Sequence, residues 1–234
     1  MKRVLVAIFL GIFALNASEI YATFNVKAQK EANLAFNIGG IVKKALVDIG
    51  DKVKADNLLA ELKNDDIKAN LNLAKIELFY TKKDYNRQLK VKNVIGKTIL
   101  DKFAFKKDMA EAKIKQIKTT LEKTYLKAPF DGIISYKNIE KGDVVPGMNP
   151  KLVYKIISLH NRKLILEFDG KYLNNINIGD IFNYKIDGSN KELSGKITKI
   201  YPTVDAKTQK AKAEVEVSDI KVGLFGSGVI VTKD

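Results

Sequence analysis

The stretch "GIVKKALVDIGDKV" at residues 40–53 returns 92 residues later as "GIISYKNIEKGDVV" at residues 132–145. In both copies a glycine precedes two β-branched residues, and a Gly-Asp pair with a following valine comes ten positions after that glycine. Apolar residues near alternation around a Gly-Asp turn indicate short strands. The repeat therefore predicts two related β half-motifs. The residues assigned to its structural turns are Gly40, Gly50, Asp51, Gly132, Gly142 and Asp143.

The first residues have the pattern of a secretory signal peptide. A basic start is followed by the apolar run 4–15 and by a small residue, Ala17, before polar residues. The apolar run is shorter than the roughly 20 residues that a membrane-spanning helix needs. We therefore predict cleavage after Ala17 and export of the mature chain. An uncleaved anchor is the alternative.

Composition excludes several classes of function. The chain has 234 residues, 46% of them hydrophobic, and no cysteine, so it has no thiol nucleophile, disulfide framework or cysteine-based zinc site. The net charge is +14, but only three of the 41 basic residues are arginine. Base readout and bidentate phosphate contacts favour arginine. We therefore predict a lysine-rich solvated surface and no nucleic-acid partner, with a basic nucleic-acid binder as a minor alternative.

Residues 65–125, between the two copies, show helical periodicity. Apolar residues recur at alternating steps of three and four, which is typical of helices that pack along one narrow stripe. The stripe positions are Ile67, Leu71, Ala74, Leu78, Thr81, Tyr85, and then Leu100, Phe103, Lys107, Ala110, Ile114, Ile117, Leu121 and Thr124. The stripe loses phase at 92–98, where we expect Gly96 to adopt the left-handed conformation of a helix exit. This pattern predicts an antiparallel hairpin about 40 Å long, with an intermolecular coiled coil as the alternative.

Together these patterns predict a mainly β protein with an inserted α-helical hairpin. The two half-motifs resemble those of the biotinyl/lipoyl carrier module, which implies a split lipoyl-like β-sandwich. A working carrier presents a lysine on the tight turn between the halves. Here about sixty helical residues replace that turn, and Lys63 lies only near the junction. A carrier-type subunit is therefore the less favoured alternative.

A split lipoyl module with an inserted hairpin resembles the periplasmic adaptor family, also called membrane fusion proteins or hemolysin D-like secretion proteins. The element "APFDG" at 128–132, which follows Leu121-x-x-Thr124, is similar to a characteristic family element. Residues 162–232 resemble the family's β-barrel domain. The resemblance implies a signal peptide at 1–17, an N-terminal strand at 18–35 that joins the barrel, lipoyl half-motifs at 36–64 and 126–160, a helical hairpin at 65–125, and a barrel at 161–234. Because the sequence ends soon after the last barrel strand, we expect the family's membrane-proximal domain to be absent or vestigial.

The resemblance also implies a docking site at the hairpin tip. Adaptors of tripartite pumps use an Arg, a Leu four residues on and a Ser seven further on to dock to a TolC-like outer-membrane channel. The preferred alignment places Tyr85, Leu89 and Gly96 at these positions, with Ile95 also fitting the family's tip. A register from Arg87 through Val91 to Thr98 is the alternative. Because the motif is degenerate, an ordinary helix–turn–helix connection is an equally open interpretation.

No catalytic constellation emerges from the sequence. The single histidine, His160, has no plausible nucleophile partner, and Asp65-Asp66 is placed to cap a helix. Met109 and Met148 are too few for soft-metal ligation. We therefore predict a protein that is not an enzyme and has no catalytic, cofactor-binding or metal-binding residues.

The resemblance implies a function in efflux or export, in the periplasm and in association with the cell envelope. The chain is expected to bridge an inner-membrane transporter of the resistance-nodulation-division type to a TolC-like outer-membrane channel, and to self-associate into a ring-like oligomer. An adaptor for an ABC-type exporter is the alternative within the same class.

Overall fold

The computed structural model of the chain describes residues 19–232, so the predicted signal peptide lies outside the described part. In chain order the elements are β1 (Glu19–Ala28), β2 (Glu31–Leu34), β3 (Gly40–Ala45), β4 (Lys52–Val53), β5 (Leu58–Leu62), α1 (Asp65–Lys90), α2 (Lys97–Glu122), β6 (Tyr125–Lys127), β7 (Gly132–Lys137), β8 (Val144–Val145), β9 (Tyr154–Ser158), β10 (Asn161–Asp169), β11 (Ile181–Ile186), β12 (Glu192–Val204), β13 (Lys210–Ser218) and β14 (Phe225–Val231). They form two compact units, residues 19–29 with 160–232, and Lys30–Leu159. No helix within 19–232 is long and apolar enough to cross a membrane.

The first unit is a closed barrel with the strand order β1-β10-β13-β12-β11-β14. Every second residue of β1 is buried, from Ile20 to Ala28, because successive side chains of a strand point to opposite faces. At the centre, the Phe24 ring lies edge-on to Phe182 at 5.9 Å and to Tyr184 at 5.2 Å, measured between ring centroids. The barrel interior is therefore a packed aromatic and aliphatic core.

The N-terminal segment of the barrel is shorter than predicted. Strand β1 ends at Ala28, whereas β2 (Glu31–Leu34) pairs with β9 in the second unit. Ala32 and Leu34 pack against the core of that unit. The prediction that 18–35 as a whole joins the barrel is therefore wrong beyond Ala28, because Glu31–Leu34 pairs with β9 and not with a barrel strand.

The second unit is a sandwich of two four-stranded sheets with the orders β2-β9-β7-β4 and β6-β5-β3-β8. Each copy of the sequence repeat contributes strands to both sheets. The first copy places β4 beside β7 of the second copy, and the second copy places β8 beside β3 of the first. Because each half completes the sheet of the other, neither half has a complete sheet of its own.

The two Gly-Asp turns have the same geometry. Gly50 and Gly142 have φ of +93° and +99°, the left-handed region that the third position of a type II turn requires. The Asp51 carboxylate accepts a hydrogen bond from the backbone N–H of Asp48 at 2.7 Å, and Asp143 accepts one from Glu140 at 2.8 Å. In both copies the glycine N–H then donates to the opposite half, Gly50 to Ile134 and Gly142 to Val42. Each Gly-Asp turn is therefore hydrogen-bonded to the opposite half-motif.

Gly40 and Gly132 do not lie in turns, which corrects the sequence assignment. They are the first residues of β3 and β7 and have no left-handed backbone. Gly132 is required for space, because a Cβ there would lie 2.5 Å from the carbonyl oxygen of Ile157 and 2.6 Å from the side chain of Ile156. Strand β9 thus approaches the backbone of β7 more closely than a side chain permits.

One ion cluster on the barrel predicts a pH dependence of stability. The largely buried Glu214 carboxylate accepts hydrogen bonds from Tyr201 at 2.6 Å and from Lys163 at 3.0 Å. Burial alone would raise the pKa of Glu214, but these two donors outweigh it and hold the pKa below its ordinary value. The cluster therefore stabilises the barrel above the unfolded-state pKa, about 4.3. That stability is lost as the pH falls through the folded-state pKa.

Replacing Glu214 by glutamine is expected to remove this pH dependence. At pH 7 the variant should lose roughly 1.5–3 kcal/mol of stability, because hydrogen bonds to a charged group are replaced by neutral ones. Denaturant titrations of both proteins from neutral to acidic pH measure the difference. The two stabilities should converge as the pH falls, and a difference that is constant with pH would contradict the assignment.

Candidate docking site on the helical hairpin

Helices α1 and α2 form an antiparallel hairpin along the predicted stripe. The stripe residues are all buried or half-buried, with Leu71, Ala74 and Ala110 the most enclosed residues of the two helices. The Glu77 carboxylate pairs with Lys113 at 2.7 Å, and the Lys107 ammonium lies 5.1 Å from the centroid of the Tyr85 ring. In these two contacts the residue number on α2 falls as the residue number on α1 rises. The two helices therefore run in opposite directions.

A buried polar cluster joins the two ends of the hairpin. Asn64 precedes α1 and Thr124 follows α2, and both side chains are almost fully buried. The Asn64 amide donates to Thr124 Oγ1 at 2.9 Å and to Glu61 Oε1 at 3.3 Å. Asn64 occupies the N-cap position of α1, but its side chain makes no capping hydrogen bond. It connects the bases of the two helices instead.

We expect the substitution Thr124→Val to destabilise the second unit by about 1–3 kcal/mol. The change keeps the shape of the side chain but leaves the buried Asn64 amide with one acceptor fewer, which carries a desolvation penalty. Thermal unfolding measures the effect, and Thr120→Val on the exposed surface of α2 is the matched control. Equal, small shifts for the two variants would show that the cluster does not hold the base of the hairpin.

The tip connects the helices through residues 91–96. Val91 and Lys92 donate backbone hydrogen bonds to Gln88 and Leu89, which continues the end of α1. Gly96 then begins α2, and its carbonyl accepts hydrogen bonds from Ile99 and Leu100. Its φ of −61° is extended rather than left-handed, so the predicted left-handed helix exit at Gly96 is wrong. The glycine caps the start of the second helix and does not end the first.

The structure separates the four predicted docking residues. Leu89 and Gly96 are exposed and Ile95 is half-buried, and all three lie at or beside the tip. Tyr85 lies more than one turn down α1, half-buried beneath Lys107. The tip also exposes apolar residues outside the preferred alignment, of which Val91 belongs to the alternative register. Val94 is 88% exposed, and Val91 and Ile99 are exposed as well.

Charge is distributed unevenly along the hairpin. Residues 82–107, the half that contains the tip, carry nine Lys or Arg and two Asp, a net charge of +7. The half near the sandwich, 65–81 with 108–123, carries six basic and six acidic residues. The uniform lysine-rich surface that composition suggested therefore resolves into a neutral base and a strongly basic tip with exposed apolar side chains.

Residues 30–156 match the family described as CzcB-like, barrel-sandwich hybrid domain. The match spans both half-motifs and the hairpin between them and covers more than half of the chain. This chain belongs to the CzcB-like membrane fusion, or periplasmic adaptor, family. The resemblance inferred from the two half-motifs is thereby confirmed. Proteins of this adaptor family are not enzymes, which also confirms the non-enzymatic prediction.

Known relatives of this adaptor agree in fold. A MacA–MexA chimeric protein that contains the Pseudomonas aeruginosa MexA α-hairpin domain is 18% identical, with a TM-score of 0.86 over 93% of this chain and 82% of the chimera. The membrane fusion protein Spr0693 from Streptococcus pneumoniae is 16% identical, with a TM-score of 0.75 over 92% and 99% of the two chains. The predicted mainly β fold with an inserted hairpin and a barrel is therefore confirmed.

A longer protein is similar to this chain in amino-acid sequence. An uncharacterised protein of Haemophilus influenzae is 26% identical over 192 residues, which cover 81% of this chain. The chain spans half the length of that relative.

Proposed function

We propose that this adaptor bridges an inner-membrane transporter to a TolC-like outer-membrane channel in a tripartite efflux system. The observation that carries the proposal is the hairpin. Two helices of 26 residues, each about 40 Å long at 1.5 Å per residue, end in a basic tip that exposes apolar side chains. Exposed apolar patches of this kind mark protein interaction sites.

In this proposal the adaptor positions its two partner proteins and catalyses no reaction. Several copies associate into a ring, and their hairpins together carry the tips to the channel. The apolar side chains at the tip, Leu89, Val94 and Ile95, supply contact area. The net charge of +7 on the distal half favours an acidic partner surface and increases the rate of encounter more than the affinity. Tyr85, one helical turn from Leu89, supports the tip through its contact with Lys107.

We further propose that the inner-membrane partner is a transporter of the resistance-nodulation-division type. The protein would work in the periplasm after cleavage following Ala17. We also propose the boundaries 36–64 and 126–160 for the two lipoyl half-motifs and 65–125 for the hairpin.

Capture of partners in intact cells tests this function. The tagged full-length chain is cross-linked in cells of its own species, and the covalent adducts are purified from both membranes. We expect one outer-membrane channel protein and one inner-membrane transporter, whose sequence separates a proton-driven pump from an ABC-type exporter. Adducts with neither kind of protein would contradict the bridging role.

A further inference from the structure

One outer face of the barrel carries the exposed aromatic side chains of the first unit. Tyr21 on β1 is 65% exposed and Phe225 on β14 is 58% exposed. Both point outward, since successive residues of a strand face opposite sides and their neighbours Ile20 and Gly226 are buried. Within residues 19–29 and 160–232, every other Phe and Tyr side chain is buried or half-buried. The two exposed rings therefore lie on two adjacent strands of one face.

The strand register sets the distance between these two aromatic residues. Across β1 and β14, Tyr21 pairs with Val229, and Phe225 pairs with Asn25. Tyr21 and Phe225 are thus four residues apart along the strands, which is ~13 Å at about 3.3 Å per residue. The pair Thr23–Ser227 lies midway between them. The face therefore has an aromatic ring at each end and two hydroxyl groups in the middle.

Two grooves run along this face and share Tyr21 and Ser227. The smaller groove, of about 270 Å³, runs from Tyr21 to Phe225. The larger one, of about 650 Å³, has the volume of a small-molecule site and extends to Asn183 and Ser194. The side chains of Tyr21, Asn183, Ser194 and Ser227 form no hydrogen bond to another residue within 19–232. Their donors and acceptors are therefore open to a ligand.

The charges on this face favour an uncharged ligand. The whole chain has a net charge of +14, yet the lining of the two grooves contains one basic residue, Lys185. Its ammonium pairs with the Glu192 carboxylate at 2.9 Å, and Asp187 adds a second carboxylate in the smaller groove. Because the lining has no unpaired cation, it does not attract an anionic lipid or polymer.

The closed barrel also restricts how a ligand can bind here. A peptide that adds a strand to a sheet needs unpaired backbone N–H and C=O groups at a sheet edge. Strands β1, β14, β11 and β12 are each paired on both sides within the closed barrel. Recognition on this face therefore depends on side chains, and those present are aromatic rings, hydroxyls, amides and carboxylates.

We propose that this face binds an extended, uncharged oligosaccharide. A sugar ring packs its apolar side on an aromatic side chain, while its hydroxyl groups donate and accept hydrogen bonds. Tyr21 and Phe225 each contact one sugar ring of the same chain. Thr23 and Ser227 bind the hydroxyl groups between these rings, and Asp187 accepts a further hydrogen bond. The spacing of ~13 Å selects a chain over a monosaccharide, which covers only one of the two aromatic residues.

Titration of the purified chain with two uncharged tetrasaccharides, chitotetraose and cellotetraose, tests the site. Calorimetry gives the affinities, and shifts of the backbone amide signals in NMR spectra locate the bound sugar. We expect saturable binding of at least one tetrasaccharide, with shifts at Thr23 and Ser227, and the tighter one identifies the sugar. The corresponding monosaccharides, N-acetylglucosamine and glucose, should bind about tenfold more weakly. No binding of either tetrasaccharide, or shifts confined to the hairpin, would overturn the proposal.

Substitution of the two aromatic residues separates this site from other surfaces. Tyr21→Ala and Phe225→Ala should each weaken tetrasaccharide binding about tenfold, because each removes one aromatic contact. Tyr80→Ala and Phe105→Ala are the matched controls, since both residues are exposed aromatics of the hairpin, and should leave the affinity unchanged. Equal affinities of all four variants, with circular dichroism unchanged, would overturn the proposal.

The site is independent of the proposed bridging function, so the two can fail separately. If Tyr21→Ala and Phe225→Ala bind the tetrasaccharide normally but lose the cross-link to the inner-membrane transporter, the face is a protein contact and the sugar site is excluded. If sugar binding behaves as expected while the chain forms no adduct with a channel or a transporter, the sugar site stands and the bridging function fails.

Discussion

Cells that depend on this chain are expected to lose export when Leu89 and Ile95 are both replaced by aspartate. Both residues lie at the tip and neither belongs to either hydrophobic core, so folding should be preserved. In the docked state each aspartate would bring an unpaired charge into an apolar contact. Such burial costs several kcal/mol per charge, and every 1.4 kcal/mol is tenfold in affinity.

The measurement is the sensitivity of the cells to drugs and bile salts, alongside the amount of exported protein. The matched control replaces Ile49 and Met148 by aspartate, since both are exposed apolar residues of the sandwich and lie outside the hairpin. The control should retain full resistance. Resistance that persists in the Leu89/Ile95 variant at a normal protein level would exclude docking through the tip.

The second large effect is expected for Gly132→Val, which should destabilise the second unit by roughly 3 kcal/mol. A Cβ at this position would meet the backbone oxygen of Ile157, and backbone cannot move aside as a flexible side chain can. Relief of the clash requires β7 to separate from β9. For a unit of this size the loss corresponds to a fall in melting temperature of roughly 10 °C.

Differential scanning calorimetry of the two variants Gly132→Val and Gly96→Ala checks this prediction. A Cβ at Gly96 meets no atom within 4 Å and its φ is −61°, so the control should change stability by less than about 1 kcal/mol. An unchanged transition for Gly132→Val would mean that the two halves are not packed as a pair.

The fold was predictable where the sequence repeats or keeps a period. The two Gly-Asp pairs revealed two β half-motifs, and the stripe from Ile67 to Thr124 revealed a hairpin. Both signals are local, because a turn needs a left-handed residue and a helix buries one face. The same reasoning misplaced residues 31–35, since a strand pattern does not state which sheet the strand joins.

Other features depend on contacts between residues that are distant in sequence. Asn64 and Thr124 are sixty residues apart, and only the closed hairpin brings them within hydrogen-bonding distance. Gly132 looked like a turn residue, but it is needed because β9 approaches β7. Three exposed apolar residues of α1, Leu73, Ile76 and Tyr80, did carry a sequence signal. These residues recur at steps of three and four outside the stripe that packs against α2. The exposed apolar face could therefore have been recognised from the sequence.

The candidate site was predicted only in part. Leu89, Ile95 and Gly96 lie at or beside the tip, and their role in docking stays a prediction. The left-handed conformation predicted for Gly96 is not observed. The many lysines were also interpreted as one uniform surface. Their separation into a neutral base and a basic tip could have been counted from the predicted hairpin.

The most direct test of docking through the hairpin tip is a photo-cross-linker placed at position 94 of the full-length chain in living cells. Val94 is 88% exposed at the tip, whereas the control position, Asn70, is exposed on α1 about 30 Å nearer the sandwich. We expect a covalent adduct with an outer-membrane channel protein from position 94 and none from position 70. Adducts with that channel from position 70 alone, or from neither position, would contradict docking through the tip.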